Sequence, residues 1–199
     1  MSTAARKTHR EALLEAARSL LRERDYANIT ARELVAASNT NLGSIGYHFG
    51  SKEALLNEAI GQAFEEWTEA IGRATSADPD APPLERMAGS WRAVLDEFAE
   101  IRPYFLAFLE ALPRSARSPE LAERLAAHYQ RQRDRVAGML TEALCGALDA
   151  GDARRLATFV IAISDGLMLQ SFVDPDGMPT ATELATSTAE ALAKVQGRG

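Results

Sequence analysis

Eight consecutive positions, Asn41 to His48, hold the side chains in this chain best suited to reading the edge of a base pair. An asparagine such as Asn41 pairs bidentately with adenine, and Leu42 packs on thymine methyl groups. Ser44 and His48 reach bases or phosphates, Tyr47 belongs to the same stretch, and Thr40 immediately precedes it. Thr30, Arg32 and Lys52 flank it with groups suited to phosphate oxygens. Phosphate contacts set register and affinity, whereas base contacts set sequence choice. The chemistry implied is recognition of double-stranded DNA. The plainer alternative is three helices of a bundle that touches no nucleic acid, since each piece alone is common. That alternative does not explain why so short a segment carries Asn, Ser, Tyr and His in place of surface Glu and Lys.

These residues need a scaffold that points them outward together. Thr30-Ala-Arg-Glu33 is a capping box: the threonine hydroxyl accepts from the Glu33 amide, and the carboxylate reaches back to the Thr30 amide. Leu34, Val35 and Ala37 supply the buried stripe of the short helix that follows. Asn39 sits in the turn, where asparagine tolerates the left-handed backbone that a tight turn requires. Thr40 or Asn41 caps the next helix, which runs through Tyr47 or His48. Ser51 caps another, near 51–73, with Glu53 in its positive first turn. An earlier helix runs from about Thr3 to Arg24 and is broken by Asp25 to Asn28. The result is a helix-turn-helix over about 30–49, whose second helix enters the major groove while the first braces the backbone.

Beyond residue 73 the pattern stays helical. The chain has 199 residues, 46% of them hydrophobic and 25% charged. No stretch alternates with period two for long, so the fold class is all-α, with about nine helices. A linker over 74–83 is followed by helices near 84–100, 102–111, 119–147, 152–173 and 182–195. Pro103 is read as lying in a first turn. Net charge is −6, split as +3 over residues 1–52 and −9 over the remainder. Phosphate binding requires a local basic surface and not a basic protein. No apolar run is expected to span a membrane, and the N-terminus lacks a signal region. The single Cys145 cannot form an internal disulfide. A cytoplasmic protein without a membrane partner is expected.

The stretch from residue 6 to 60 resembles the DNA-binding module of tetracycline-repressor (TetR) family regulators. The resemblance rests on Leu13-Leu-Glu-Ala16-Ala17, on Thr30 through Ala36, and on Tyr47-His48-Phe49-Gly50-Ser51-Lys52-Glu53-Ala54-Leu55. It implies DNA-contact roles for Tyr47, His48 and Lys52, a backbone clamp at Thr30 and a buried anchor at Phe49. It also implies a DNA-binding domain over 1–50 and a helical ligand-binding and dimerisation domain over 51–199. In such regulators a small molecule enters a helical pocket and moves the DNA heads apart. Three positions depart from the family pattern: Asp25 and Asn39 stand where glycines are usual, and Gly46 replaces a larger groove-facing residue. With Gly43 this puts two glycines in one short helix, each costing about 1 kcal/mol of helix propensity. A recognition helix that orders fully on DNA is the expectation.

The second half carries no catalytic constellation, zinc-ligand spacing or phosphate loop, so neither an enzyme, a metal nor a cofactor is expected. Candidate effector-pocket residues are Trp91, Phe105, Phe108, His128, Tyr129 and Phe159, with Phe98, Tyr104 and Met139 as further members. Core packing is the plainer role for the Trp, Phe and Met residues, and a solvent-facing ring for His128. Residues 155–173 are apolar on nearly all sides, and a helix apolar all round must be buried all round. Phe159, Ile163, Gly166, Leu167 and Gln170 are the candidates for contact with a second copy, Gly166 allowing close approach. The reading is a homodimeric regulator, a repressor released from a palindromic operator by an unknown small molecule. The alternative is a helical ligand-binding or protein-interaction module without sequence-specific DNA binding. Effector, operator, direction of regulation and the second dimer helix are not legible in the sequence.

Overall fold

All regular structure among the residues that the computed structural model describes, 8–75, 83–143 and 148–196, is helical. Residues 1–7, most of the 74–83 linker and Cys145 lie outside the described residues. The described part holds nine α-helices and one 3-10 turn. It forms two compact units, each assembled from separated stretches: residues 1–65 with 101–129, and 66–100 with 130–199.

In the first unit, helix α1 (His9–Glu23) starts at a capping box between Thr8 and Glu11. Its inward face, Leu13, Leu14, Ala16, Ala17 and Leu21, recurs at helical spacing and is buried. The 3-10 turn Tyr26–Asn28 then sinks Tyr26 completely, and Ile29 follows it. Helix α2 (Ala31–Ser38) begins at the Thr30–Glu33 capping box expected from the sequence. It ends at Asn39, whose φ of 51° is the left-handed backbone that asparagine tolerates. Helix α3 (Leu42–Phe49) is capped by Asn41 and ends at Gly50, with φ 83°, where a side chain would be strained. Helix α4 (Lys52–Thr75) starts after Ser51, whose hydroxyl accepts from the Ala54 amide. Leu13, Leu34, Leu55 and Leu56 are fully buried, and each such leucine contributes about 1.5–3 kcal/mol.

The α2 stripe is narrower than expected: Leu34 is buried, Val35 half-buried and Ala37 exposed. A two-turn helix packed on α1 and α3 has only one edge to hide. The break expected near residue 101 falls instead at Glu97, between α5 (Pro83–Asp96) and α6 (Phe98–Ser115). Pro103 is therefore inside α6 and not at its start. The buried stripe Ile101, Tyr104, Phe105, Ala107, Phe108 and Ala111 outweighs the one backbone bond that proline forgoes. Helix α7 (Pro119–Ala143) supplies Leu121, Leu125 and His128 to the same unit.

In the second unit α5 packs along α9 (Ala181–Gln196), which starts at a Thr180–Glu183 capping box. The later part of α7 ties to α4 through Arg135–Glu69 at 2.9 Å. A side chain added at Gly72 would come within 3.0 Å of the tip of the Met139 side chain. Helix α8 (Ala150–Val173) is capped by Asp149 and buries Ala153, Ala157, Ile161, Ser164, Leu167 and Met168. By length and composition alone it is apolar enough to cross a membrane, unlike the expectation from the sequence. Asp165 is the only charge between Leu156 and Val173. Only 28% of that apolar stretch is buried in the single chain.

Candidate nucleic-acid interface

Helix α3 has two faces of opposite character. Ser44, Ile45 and Phe49 are buried, while Leu42 is 54% and Tyr47 85% exposed. A helix of eight residues that leaves its largest aromatic in water has a face without a partner among the described residues. Gly46 lies on the open side with no atom within 4 Å of where a Cβ would stand. Tyr47 meets the His48 ring edge-on at 4.8 Å, and His48 is half-buried between it and Phe49.

The residues picked out in the sequence do not all reach that face. Asn41 is exposed, but its Oδ1 accepts from the Ser44 amide at 3.1 Å and from the Ser44 hydroxyl at 3.4 Å. It caps α3 before it can pair with a base. Ser44 is turned inward, 7% exposed. Thr40 is half-buried, its hydroxyl 2.8 Å from that of Ser38. Thr30 binds Glu33 through both its amide, at 2.9 Å, and its hydroxyl, at 2.7 Å. Those hydrogen bonds hold the Glu33 carboxyl below its ordinary value. Arg32 is exposed.

Lys52 faces inward. Its ammonium donates to the Ile29 carbonyl at 2.8 Å, lies 3.5 Å from the Glu53 carboxylate, and leaves the side chain 20% exposed. The start of α4 is thereby fastened to the loop before α2. Other basic groups of the head are also engaged within it: Arg24 pairs with Glu33 at 2.6 Å. Arg10 pairs with Glu58 and lies over the Phe49 ring, 5.3 Å from its centroid. Sequence reading missed His9, whose Nδ1 lies 3.3 Å from the Ser44 hydroxyl. The two are 35 residues apart, and no spacing rule joins them.

Helix α6 grips the head within the same compact unit. Glu110 accepts from the Ala27 amide at 3.1 Å, the Tyr104 hydroxyl donates to the Arg18 carbonyl at 3.4 Å, and Arg114 lies over the Tyr26 ring. The buried Tyr26 hydroxyl donates to Asn57, and burial pushes its pKa up to about 12, with nearby Glu53 adding to the rise.

Of the candidate pocket residues, four come together: Phe105, Phe108, His128 and Tyr129, joined by Phe64 of α4. Ring centroids there are 5.4–6.2 Å apart, in edge-on and tilted arrangements. His128 is 7% exposed, so the expectation of a solvent-facing ring is corrected. Phe64 packs against it, and its Nδ1 lies 3.5 Å from where a Cβ at Gly61 would stand. Trp91 and Phe159 belong to the other unit. The open groove in that unit, about 450 Å³, is lined by residues of α5 and α9 such as Glu85, Gly89, Arg92 and Thr186, none of them a candidate from the sequence.

On α8, Phe159 is 61%, Leu169 49% and Val173 83% exposed. With Ala162, Gly166 and Gln170 they share one side of the helix, at steps of three and four. Phe159 is thus a surface residue of the single chain. Leu167 faces inward, Ile163 is half-buried, and Leu169 and Val173 are the large apolar groups on the open side.

Comparisons with known proteins agree on one family. Residues 13–59 match bacterial regulatory proteins of the tetR family, and residues 83–194 match the C-terminal part of BetI-type transcriptional repressors. The transcriptional repressor KstR2 of Mycobacterium tuberculosis is 28% identical over 115 residues, 58% of this chain and 56% of that protein. The matched stretch thus spans little more than half of the relative's length. Among solved structures, the TetR-family repressor AlkX of Dietzia sp. superposes with a TM-score of 0.66 at 21% identity, over 96% of this chain and 98% of that one. The multidrug binding protein EbrR, solved with imidazole bound, gives 0.65 at 22% identity, over 92% and 95%. At these identities the structural likeness is one of fold.

Proposed function

This chain belongs to the TetR family of bacterial regulatory proteins, and on that footing we propose that it is a homodimeric, cytoplasmic transcriptional repressor. It binds a palindromic DNA operator through a head over residues 1–50 and is released by a small molecule held in the helices beyond. The observation that carries the DNA reading is the outer face of α3, with Leu42 and Tyr47 in solvent above a buried Ile45 and Phe49. Tyr47, Leu42, His48 and the outward edge of Asn41 face the groove, with Arg32, Thr30 and Thr40 toward the backbone. Lys52 supports the contact through the Ile29 loop that it holds.

Two further observations support the dimer and the effector. The exposed apolar side of α8 needs a cover, and a second copy related by a two-fold axis supplies one while matching a two-fold operator. The cluster of Phe64, Phe105, Phe108, His128 and Tyr129 lies in the same compact unit as the head. An effector parting those rings displaces α6, and α6 holds Ala27, Arg18 and Tyr26. That EbrR binds imidazole is in keeping with such a site on this fold.

The test is selection of duplexes from a genomic library by the full-length protein, alongside Tyr47→Ala. Recovery of one palindromic motif by the parent, lost in the variant while the dimer persists, supports the reading. Recovery of no preferred sequence, or an equally selective variant, overturns it.

A further inference from the structure

We infer that His9 is a DNA-contact residue, an imidazolium held through Nδ1 by Ser44 and offering Nε2–H to a backbone phosphate. The inference rests on the DNA-binding reading of α3 and adds to it a residue from outside the helix-turn-helix. Its starting point is the direction of a short hydrogen-bond chain. The Ser44 hydroxyl donates to Asn41 Oδ1 at 3.4 Å, and the same oxygen lies 3.3 Å from His9 Nδ1. With its proton committed to Asn41, the Ser44 oxygen acts as acceptor, so His9 Nδ1 carries the hydrogen.

That assignment determines what the other ring nitrogen presents. Neutral His9 in this tautomer exposes a bare Nε2, an acceptor that repels a phosphate oxygen. Protonated His9 exposes Nε2–H, a charged donor suited to one. His9 is exposed, and with Nδ1 turned to Ser44 the Nε2 edge is left toward solvent. Ser44 is buried and hydrogen-bonded to Asn41, so the ring is oriented before any ligand arrives. The same chain ends on Asn41, the cap of α3, so one set of bonds fixes both the recognition helix and the imidazole.

Among the described residues, the charges beside His9 on α1 are already engaged. Glu11 is engaged in the Thr8 capping box, and Arg10 pairs with Glu58 and covers Phe49. The imidazole on the head's recognition helix, His48, is set edge-on between Tyr47 and Phe49.

The experiment uses the full-length chain and duplexes that it recovers from a random pool, with binding titrated against salt near pH 6 and pH 8. One phosphate contact contributes roughly 0.9 to the log–log salt slope. Near pH 6, His9→Ala is expected to lower the slope by that amount and to weaken binding about tenfold. Near pH 8 wild type and His9→Ala converge, whereas His9→Arg keeps the larger slope at both. His48 is present in all three proteins, so its contribution drops out of the differences. Ser44→Ala loosens the ring, so His9→Ala costs less in that background than in wild type. Equal slopes for wild type and His9→Ala near pH 6 overturn the assignment. If wild type itself binds no duplex, the DNA-binding reading underneath has failed, which no variant is needed to see.

Discussion

Replacing Lys52 by methionine separates two jobs that a lysine at this position can do. The family pattern makes it a phosphate contact, whereas its Nζ in the structure donates to the Ile29 carbonyl at 2.8 Å with the side chain 20% exposed. Methionine keeps the apolar stem and removes the donor, leaving a carbonyl in the head without that partner. A hydrogen bond from a charged group contributes about 1.5–3 kcal/mol. For a chain of this length each kcal/mol moves the unfolding midpoint by about 2–4 °C, so a fall of roughly 3–12 °C is expected. Thermal unfolding followed by circular dichroism reads this directly. DNA affinity should fall too, because the start of α4 is no longer fastened to the loop before α2. The salt slope of binding should stay within error of wild type, since no phosphate contact is lost. A slope reduced by about 0.9 with an unchanged midpoint would refute the brace and return Lys52 to the backbone.

Other variants test other parts of the reading. Tyr47→Ala removes a side chain 85% exposed, so stability should change by less than about 0.5 kcal/mol while operator affinity falls at least about tenfold in a fluorescence titration. Phe159→Glu or Val173→Glu puts a charge on the open side of α8 and should convert dimer to monomer in sedimentation, leaving helicity intact. Glu33 has its carboxyl held low by bonds from Thr30, so its stabilising effect is present above its ordinary value of 4.5 and is lost as pH falls through the depressed one. Thr30→Ala should therefore flatten the acid limb of the stability profile. Tyr26 has the opposite sign: its pKa is raised from 10.0 to about 12, so that contribution is whole below pH 10.0 and lost as pH climbs toward 12. Tyr26→Phe should reduce the alkaline loss in that window, read by unfolding midpoints at each pH.

The head was legible because its signals are local. A threonine three residues before a glutamate, an asparagine at a tight turn and a serine before a lysine-glutamate pair each bond within four residues, and each holds in the structure. Orientation was less legible. Ser44 and Tyr47 are both polar-tipped residues on a two-turn helix, yet one is buried and the other is in solvent. The difference comes from α1, which delivers His9 to Ser44 from 35 residues away. Lys52 is a similar case, since a lysine beside a helix start suits a phosphate equally well until the Ile29 carbonyl is known to lie 2.8 Å from it.

For the helices beyond the head, composition set the class but not the partners. Apolar periodicity marks α8 as needing cover on every side, but it cannot separate Leu167, which its own chain buries, from Leu169, which it leaves half in water. The distinction matters for mechanism in α6, where Pro103 suggested a helix start and the buried stripe carries the helix back to Phe98. A helix of that length presents Tyr104, Glu110 and Arg114 along one reach, to Arg18, Ala27 and Tyr26 respectively. A shorter α6 starting at residue 103 would keep those contacts but lose Ile101 and the first turn that steady them. The 3-10 turn, which the sequence marks only as a break after α1, is where two of the three contacts land. A break in periodicity is thus a docking point, and it gives a shift of α6 a direct hold on the helix-turn-helix head.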